Sequence, residues 1–332
     1  GRGGFLGDDS ARNQQNGSFG NSLYYYNTST GSNSLIVNKL YAELYADTAT
    51  YLIGRHGYDW GLGAIYNKGG EVWDRHTFVR DGITAEIRLG NFQFRPFWAK
   101  IANDLSQGLT DATKAKEYGA SLLYDDISRD LIFGIHYSKR ENASFSTSFD
   151  QDTDGDGADD DLGAGKMTIT DLFVEKSIDD FKLAVEIPLL SGEIGDIYSN
   201  GENTKYSAKA FLGELDYTPS DNWKFSLHAG KVEGHSGVES SYNALYLNPN
   251  YQVANLLFRY NRMAISNTGS GNQSLYDSYI TNTTYAKLGA EYSSGKWMWY
   301  SSLIWAKADQ VAEADKDKGY NHGTNTVFTP QA

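Results

Sequence analysis

The sequence predicts an all-β chain: an antiparallel transmembrane β-barrel of about 14–18 strands, with short periplasmic turns and long extracellular loops. Three observations lead there. Short stretches alternate apolar and polar residues, which on a pleated strand sends the two kinds to opposite faces. Aromatic residues make up 14% of the chain, with 24 Tyr and 7 Trp, and gather near the ends of those stretches, where an apolar ring with a polar tip suits a membrane interface. The connections alternate between tight turns and long Gly/Asn/Ser/Asp loops.

Taken in order, residues 1–33 are Gly/Asn/Ser-rich and read as a flexible N-terminal segment, and residues 34–332 as the barrel. Strands are expected near 35–46, 48–56, 58–67, 83–90, 92–101, 117–125, 131–140, 167–176, 181–190, 205–217, 223–233, 252–262, 284–293 and 297–306. In the fourth, Ile83, Ala85, Ile87 and Leu89 share one face while Thr84, Glu86 and Arg88 share the other. In the eleventh, Trp223, Phe225, Leu227 and Ala229 alternate with Lys224, Ser226, His228 and Gly230. Tight connections such as Ser177-Ile178-Asp179-Asp180 and Ser293-Ser294-Gly295-Lys296 carry the residues that turns favour. Long connections fall near 68–82, 102–116, 141–166, 191–204, 234–251, 263–283 and 307–326. The chain opens at Gly1 without a signal-peptide pattern, as a processed or trimmed chain would. It ends without an aromatic-terminated strand, so the barrel is expected to be incomplete at its C-terminal end. A soluble β-sandwich or β-helix shares the alternation and the turns, but neither calls for so many aromatics or for a short/long rhythm.

Composition narrows the function. No run approaches the roughly eighteen apolar residues of a spanning helix, which leaves strands as the way to cross a bilayer. The net charge of −13, with no Lys/Arg cluster, opposes nucleic-acid binding. Without cysteine, neither a disulfide framework nor a thiolate metal site is possible.

Gly54-Arg55-His56-Gly57-Tyr58-Asp59-Trp60-Gly61-Leu62-Gly63, then Trp73-Asp74-Arg75 and Phe92-Gln93-Phe94-Arg95-Pro96-Phe97-Trp98-Ala99-Lys100, resemble the opening hairpins of proteobacterial porin-like barrels. The alginate-export-like group is among these. Tyr246-Leu247-Asn248-Pro249-Asn250-Tyr251, followed by Phe258-Arg259-Tyr260, is similar in character. The resemblance implies a barrel and a channel role, and no particular substrate.

Charges on the second face supply candidate pore-lining residues. With Ile83, Ala85, Ile87 and Leu89 toward lipid, Glu86 and Arg88 point inward, and the same reasoning places Lys39, Glu43, Arg55, Arg95, Lys209, Arg259, Lys287 and Glu291 there. A Lys or Arg on the lipid face at mid-depth costs about 2–4 kcal/mol, which favours the inward assignment. Such a mixed wall serves a water-filled pore, or it pairs across the interior and plugs it.

The segment Asp150-Gln151-Asp152-Thr153-Asp154-Gly155-Asp156-Gly157-Ala158-Asp159-Asp160-Asp161 has the spacing of a calcium loop. Read from Asp150, carboxylates stand at positions one, three and five, Gly at six and Asp161 at twelve; read from Asp152, the ligands are Asp152, Asp154, Asp156 and Asp160. A structural Ca²⁺ would neutralise carboxylates that otherwise repel one another. A solvated acidic loop tip is the alternative, and no flanking helices are expected.

Catalytic signatures are thin. None of the six histidines belongs to a His-Glu-x-x-His pattern. His136 and Ser138 share a strand face, as a base and nucleophile must, and resemble the His-x-Ser strand of outer-membrane phospholipases. The Ser-Asn-Gly continuation is absent, since Lys139 and Arg140 follow, so the chain is not expected to be an enzyme. The expectation is an outer-membrane channel for small hydrophilic solutes, lying among outer-membrane lipid and lipopolysaccharide. The alternative is a closed barrel that binds a protein partner through its acidic loops or its periplasmic rim.

Overall fold

The computed structural model describes residues 39–70, 78–102, 115–142, 150–151, 160–161, 165–194, 203–235, 241–248, 250–254 and 280–310. The expected N-terminal segment 1–33, the C-terminal end, Arg259, most of the 252–262 strand and the centre of the Asp-rich segment lie outside them.

The strands are β1 (Leu40–Tyr45), β2 (Ala49–Gly57), β3 (Val79–Leu89), β4 (Phe92–Ala102), β5 (Ala115–Asp126), β6 (Leu131–Asn142), β7 (Asp150–Gln151) and β8 (Asp160–Asp161). They continue as β9 (Gly165–Ile178), β10 (Phe181–Glu193), β11 (Lys205–Ser220), β12 (Trp223–Val232), β13 (Ser241–Tyr242), β14 (Thr283–Ser294) and β15 (Trp297–Ala308). All but β7 and β8 form one thirteen-stranded sheet in the order β1-β2-β3-β4-β5-β6-β9-β10-β11-β12-β14-β15, with β13 beside β11. Apart from the short β11–β13 contact every pairing in this sheet is antiparallel. The fold is the predicted antiparallel sheet, a meander apart from β13. Among the described residues its end strands β1 and β15 do not pair with each other.

Turn chemistry sets the hairpins. Gly90, Asp179 and Gly295 each open a two-residue turn with positive φ (59°, 50° and 59°), the backbone geometry that lets a tight hairpin follow strand twist.

The register sorts side chains into two faces. Ile83, Trp98 and Tyr118 are cross-strand neighbours on the outer face, as are Phe94, Leu122 and Ile135 two layers nearer the turns. These apolar groups are solvent-facing, Ile83 at 50% and Trp98 at 49%. Opposite them, Thr84, Glu117, Ser121, His136, Ser138, Asp171 and Glu186 are buried on the inner face. A soluble protein buries its apolar face; this sheet is the other way about, as a lipid-facing wall must be. Tyr217, Trp223, Trp297 and Trp299 edge the turn rim on the outer face, whereas Tyr41 and Tyr45 fall on the inner one.

One expected strand is absent. Residues 58–67 leave β2 and fold across the inner face, with Trp60, Ala64 and Tyr66 buried. Gly61 and Gly63, at φ +56° and +82°, break the extended backbone there, a conformation that costs glycine little. Residues 252–254, the start of another expected strand, are likewise not in a strand.

Candidate functional site

The inner face has two bands. At the long-loop end, alternation on β3, β5 and β6 brings Arg80, Glu117 and Arg140 into direct contact, all three buried. Arg80 donates through Nη2 to Glu117 Oε1 at 3.2 Å, and Arg140 donates through Nε and Nη2 to Oε2 at 3.1 and 2.7 Å. The Arg80 guanidinium lies between the rings of Phe97 and Tyr58, 3.4 and 3.7 Å from their centroids, a cation–π sandwich. Tyr66 Oη donates to Glu117 Oε1 at 2.8 Å and lies 3.1 Å from Ser138 Oγ. His136 bridges the inner segment to the wall, with Nδ1 2.9 Å from Tyr58 Oη and Nε2 3.2 Å from Tyr66 Oη. Burial pushes the Tyr66 hydroxyl well above its ordinary pKa, and the neighbouring Glu117 charge adds to the rise. Tyr66 therefore stays protonated and keeps donating to Glu117.

Beside this cluster, Asp171 on β9 and Glu186 on β10 are completely buried. Glu186 accepts the Leu62 N–H of the inner segment. A Cβ at Gly61 would stand 2.5 Å from Glu186 Oε2, so only glycine lets the segment approach. A second inner segment closes over the first. Asn248 N–H donates to Ala64 O at 2.6 Å, and Tyr251 Oη donates to Glu214 Oε1 at 3.1 Å. Leu245, Leu247 and Val253 join Trp60, Ile65, Leu212 and Tyr285 in the apolar core.

Toward the short turns the inner face is wet. Lys182–Glu175 and Lys224–Asp216 pair at 2.8 and 3.0 Å with their lysines about half exposed. His228 Nδ1 lies 3.6 Å from Glu214 Oε1.

Of the residues proposed from the sequence, Glu43, Glu86, Arg88, Arg95, Lys287 and Glu291 stand on the inner face, and Lys39 continues that face just ahead of β1. Arg95 donates to Ser121 Oγ at 3.1 Å and faces the rings of Tyr58 and Trp60. Two placements are corrected. Arg55 shares the outer face with Ile53 and pairs with Asp81 at 2.6 Å, and Lys209 shares it with Phe211. Both sit near the loop rim, where the lipid penalty for charge falls to about 0–1 kcal/mol, so the mid-depth argument does not reach them.

Of the proposed calcium ligands, the structure describes Asp150, Asp160 and Asp161. Their backbones belong to the β7–β8 pair, with Asp150 opposite Asp161. Asp152, Asp154 and Asp156 lie outside the described residues. His136 and Ser138 do share the inner face and are fully buried, bonded to the tyrosines of the inner segment.

Residues the sequence reading passed over dominate this face: Arg80, Glu117, Arg140, Asp171 and Glu186. Four of them do alternate with outer-face residues, as in Ile135-His136-Tyr137-Ser138-Lys139-Arg140 and Thr170-Asp171-Leu172, and that was the available signal.

No protein-family model and no curated protein matches the chain. Among solved structures, it is similar to the outer-membrane expressed OmpT of Vibrio cholerae at 12% identity and TM-score 0.42, over 89% of this chain and 77% of that one. The FrpB iron transporter from Neisseria meningitidis (F3-3 variant) matches at 15% identity and TM-score 0.37, over 78% of this chain and 42% of that one. The Pseudomonas putida toluene transporter TodX matches at 10% identity and TM-score 0.27, over 78% and 73%. The likenesses assign no family and do not confirm the alginate-export-like group.

Proposed function

We propose that the chain is an outer-membrane channel for small hydrophilic solutes, with its bore narrowed from within by residues 58–67, 245–248 and 250–254. The observation that carries this reading is the two-faced sheet. An apolar outer wall needs lipid around it, and the inner wall carries the charges and hydroxyls that a hydrated path requires. The wet band of Lys182, Glu175, Lys224, Asp216, Lys287 and Glu291 is the part of that wall open to solutes.

Single-channel recording of the full chain in planar bilayers tests the proposal. Discrete, ohmic steps are expected, and a silent bilayer containing folded protein would overturn it. The filled loop-end band supports a second reading, a closed barrel whose loops bind a partner, and that is what silence would leave. For the Asp-rich segment we propose Ca²⁺ binding, checked by calorimetry against an Asp152→Ala/Asp154→Ala variant. Equal heats from the two proteins would remove it.

A further inference from the structure

We propose that the outer face of β4, β5 and β6, at its long-loop end, binds the phosphate of a phosphorylated glycolipid of the outer leaflet, lipopolysaccharide. The inference rests on the outer-membrane reading above, which sets that end in the outer leaflet.

Lys100 and Lys116 are direct cross-strand partners on this face. Lys139 stands opposite Tyr118, two residues along from Lys116 on the same side. All three are exposed. Like charges directly opposite destabilise a sheet, and the carboxylates beside them are engaged elsewhere. Asp81, the other register partner of Lys100, is held by Arg55 at 2.6 Å. Glu141, the other partner of Lys116, accepts the Tyr118 hydroxyl at 2.8 Å. Among the described residues none of the three lysines enters an ion pair. In a chain of net charge −13, three neighbouring ammonium groups without a counter-charge form a site for an anion.

What lies beneath them selects a lipid over a free ion. One layer toward mid-sheet, Trp98 and Tyr118 are exposed on the same face in register with Lys139; Tyr137 follows one layer further on, and Phe94, Leu122 and Ile135 in the layer after that. Ammonium groups at the loop end, aromatic rings beside and below them, and apolar side chains below those match phosphate, sugar and acyl chain along one glycolipid. Interfacial rings suit the sugar level, and a basic residue near a charged membrane surface contributes about 1 kcal/mol. Inorganic phosphate would use the first layer alone.

The test is retention of bisphosphorylated lipid A by the full chain in detergent micelles, read by native mass spectrometry. The same glycolipid with its phosphates removed and inorganic phosphate as competitor are run alongside. Retention is expected to need the phosphates, to fall as salt rises, and to weaken roughly a hundredfold in Lys100→Gln/Lys116→Gln/Lys139→Gln. The matching Lys→Arg triple variant should retain the lipid. Lys116→Gln alone, expected to weaken retention about fivefold, serves where the triple variant does not fold. Equal retention of the dephosphorylated glycolipid, unchanged retention by the Gln variants, or displacement by inorganic phosphate at lipid-like concentrations would each overturn the site. Normal conductance with no phosphate-dependent retention would sink this site and leave the channel standing; retention without conductance would do the reverse.

Discussion

The two bands of the inner face are built from the same residue types yet differ in what holds them. At the loop end, Glu117 and its two arginines are buried, covered by Tyr58 and Tyr66 against the wall residue Phe97. At the turn end, Asp216 and Lys224 are 24% and 46% exposed. The difference lies in the cover and not in the ions. Residues 58–67 exclude water from one set of charges, and nothing described covers the other. Buried charges fix a geometry because leaving one unpaired is expensive, whereas wet ones can be exchanged against solute and salt.

The sharpest way to break this comparison is to remove one carboxylate from each band. Glu117→Gln removes the carboxylate that two buried guanidiniums share and is expected to cost about 3–5 kcal/mol. Asp216→Asn is expected to cost under about 1 kcal/mol. Urea unfolding in lipid vesicles compares them, and equal losses would mean that the loop-end band is as wet as the other. Next in size is Trp60→Ala, which removes the ring packed on His136 and Gly134. A buried Trp deletion costs about 3–5 kcal/mol in a soluble core, with less expected here because the inner segment is only part of the fold. Its more telling readout is a larger single-channel conductance, and unchanged steps would show that this segment does not limit flow. Arg88→Gln/Arg95→Gln should shift selectivity toward cations with little loss of stability, because guanidiniums that hold anionic groups are gone. Reversal potentials at low and high salt check it. The smallest effect belongs to Arg55 and Asp81 on the outer rim, where a double-mutant cycle should return about 0.2–1 kcal/mol.

These contrasts also explain what the sequence could reveal. Alternation located most strands within a few residues, because one face must meet lipid and the other must not. The same rule misread residues 58–67. Tyr58, Trp60, Leu62, Ala64 and Tyr66 recur at every second position, yet this period reflects packing on an inner wall, and the positive φ at Gly61 and Gly63 cannot be read from a pattern of two. Arg80 was hidden because Phe78-Val79-Arg80-Asp81-Gly82 shows no alternation and looks like a loop. Burial of Asp171 and Glu186 depends on a segment 124 positions away from Glu186, which no local window contains. For Arg55 and Lys209, alternation settled only that neighbouring residues oppose each other. Their side is set by the register, Arg55 with Ile53 and Lys209 with Phe211, and nearness to the rim makes it tolerable.

The meander itself has a consequence for how the molecule assembles. Nearly every strand pairs with the strand next to it in the chain, so the wall can zip strand by strand, tight turns alternating with longer loops whose closure cost rises only slowly with length. The inner segments follow another logic. Asn248 meets Ile65 across 183 positions, and neither segment has a surface to rest on until β5, β6, β9 and β10 stand side by side. The interior is therefore the last part to set, and a mutation there should hasten unfolding more than it slows folding. Such a molecule acquires its boundary before its contents.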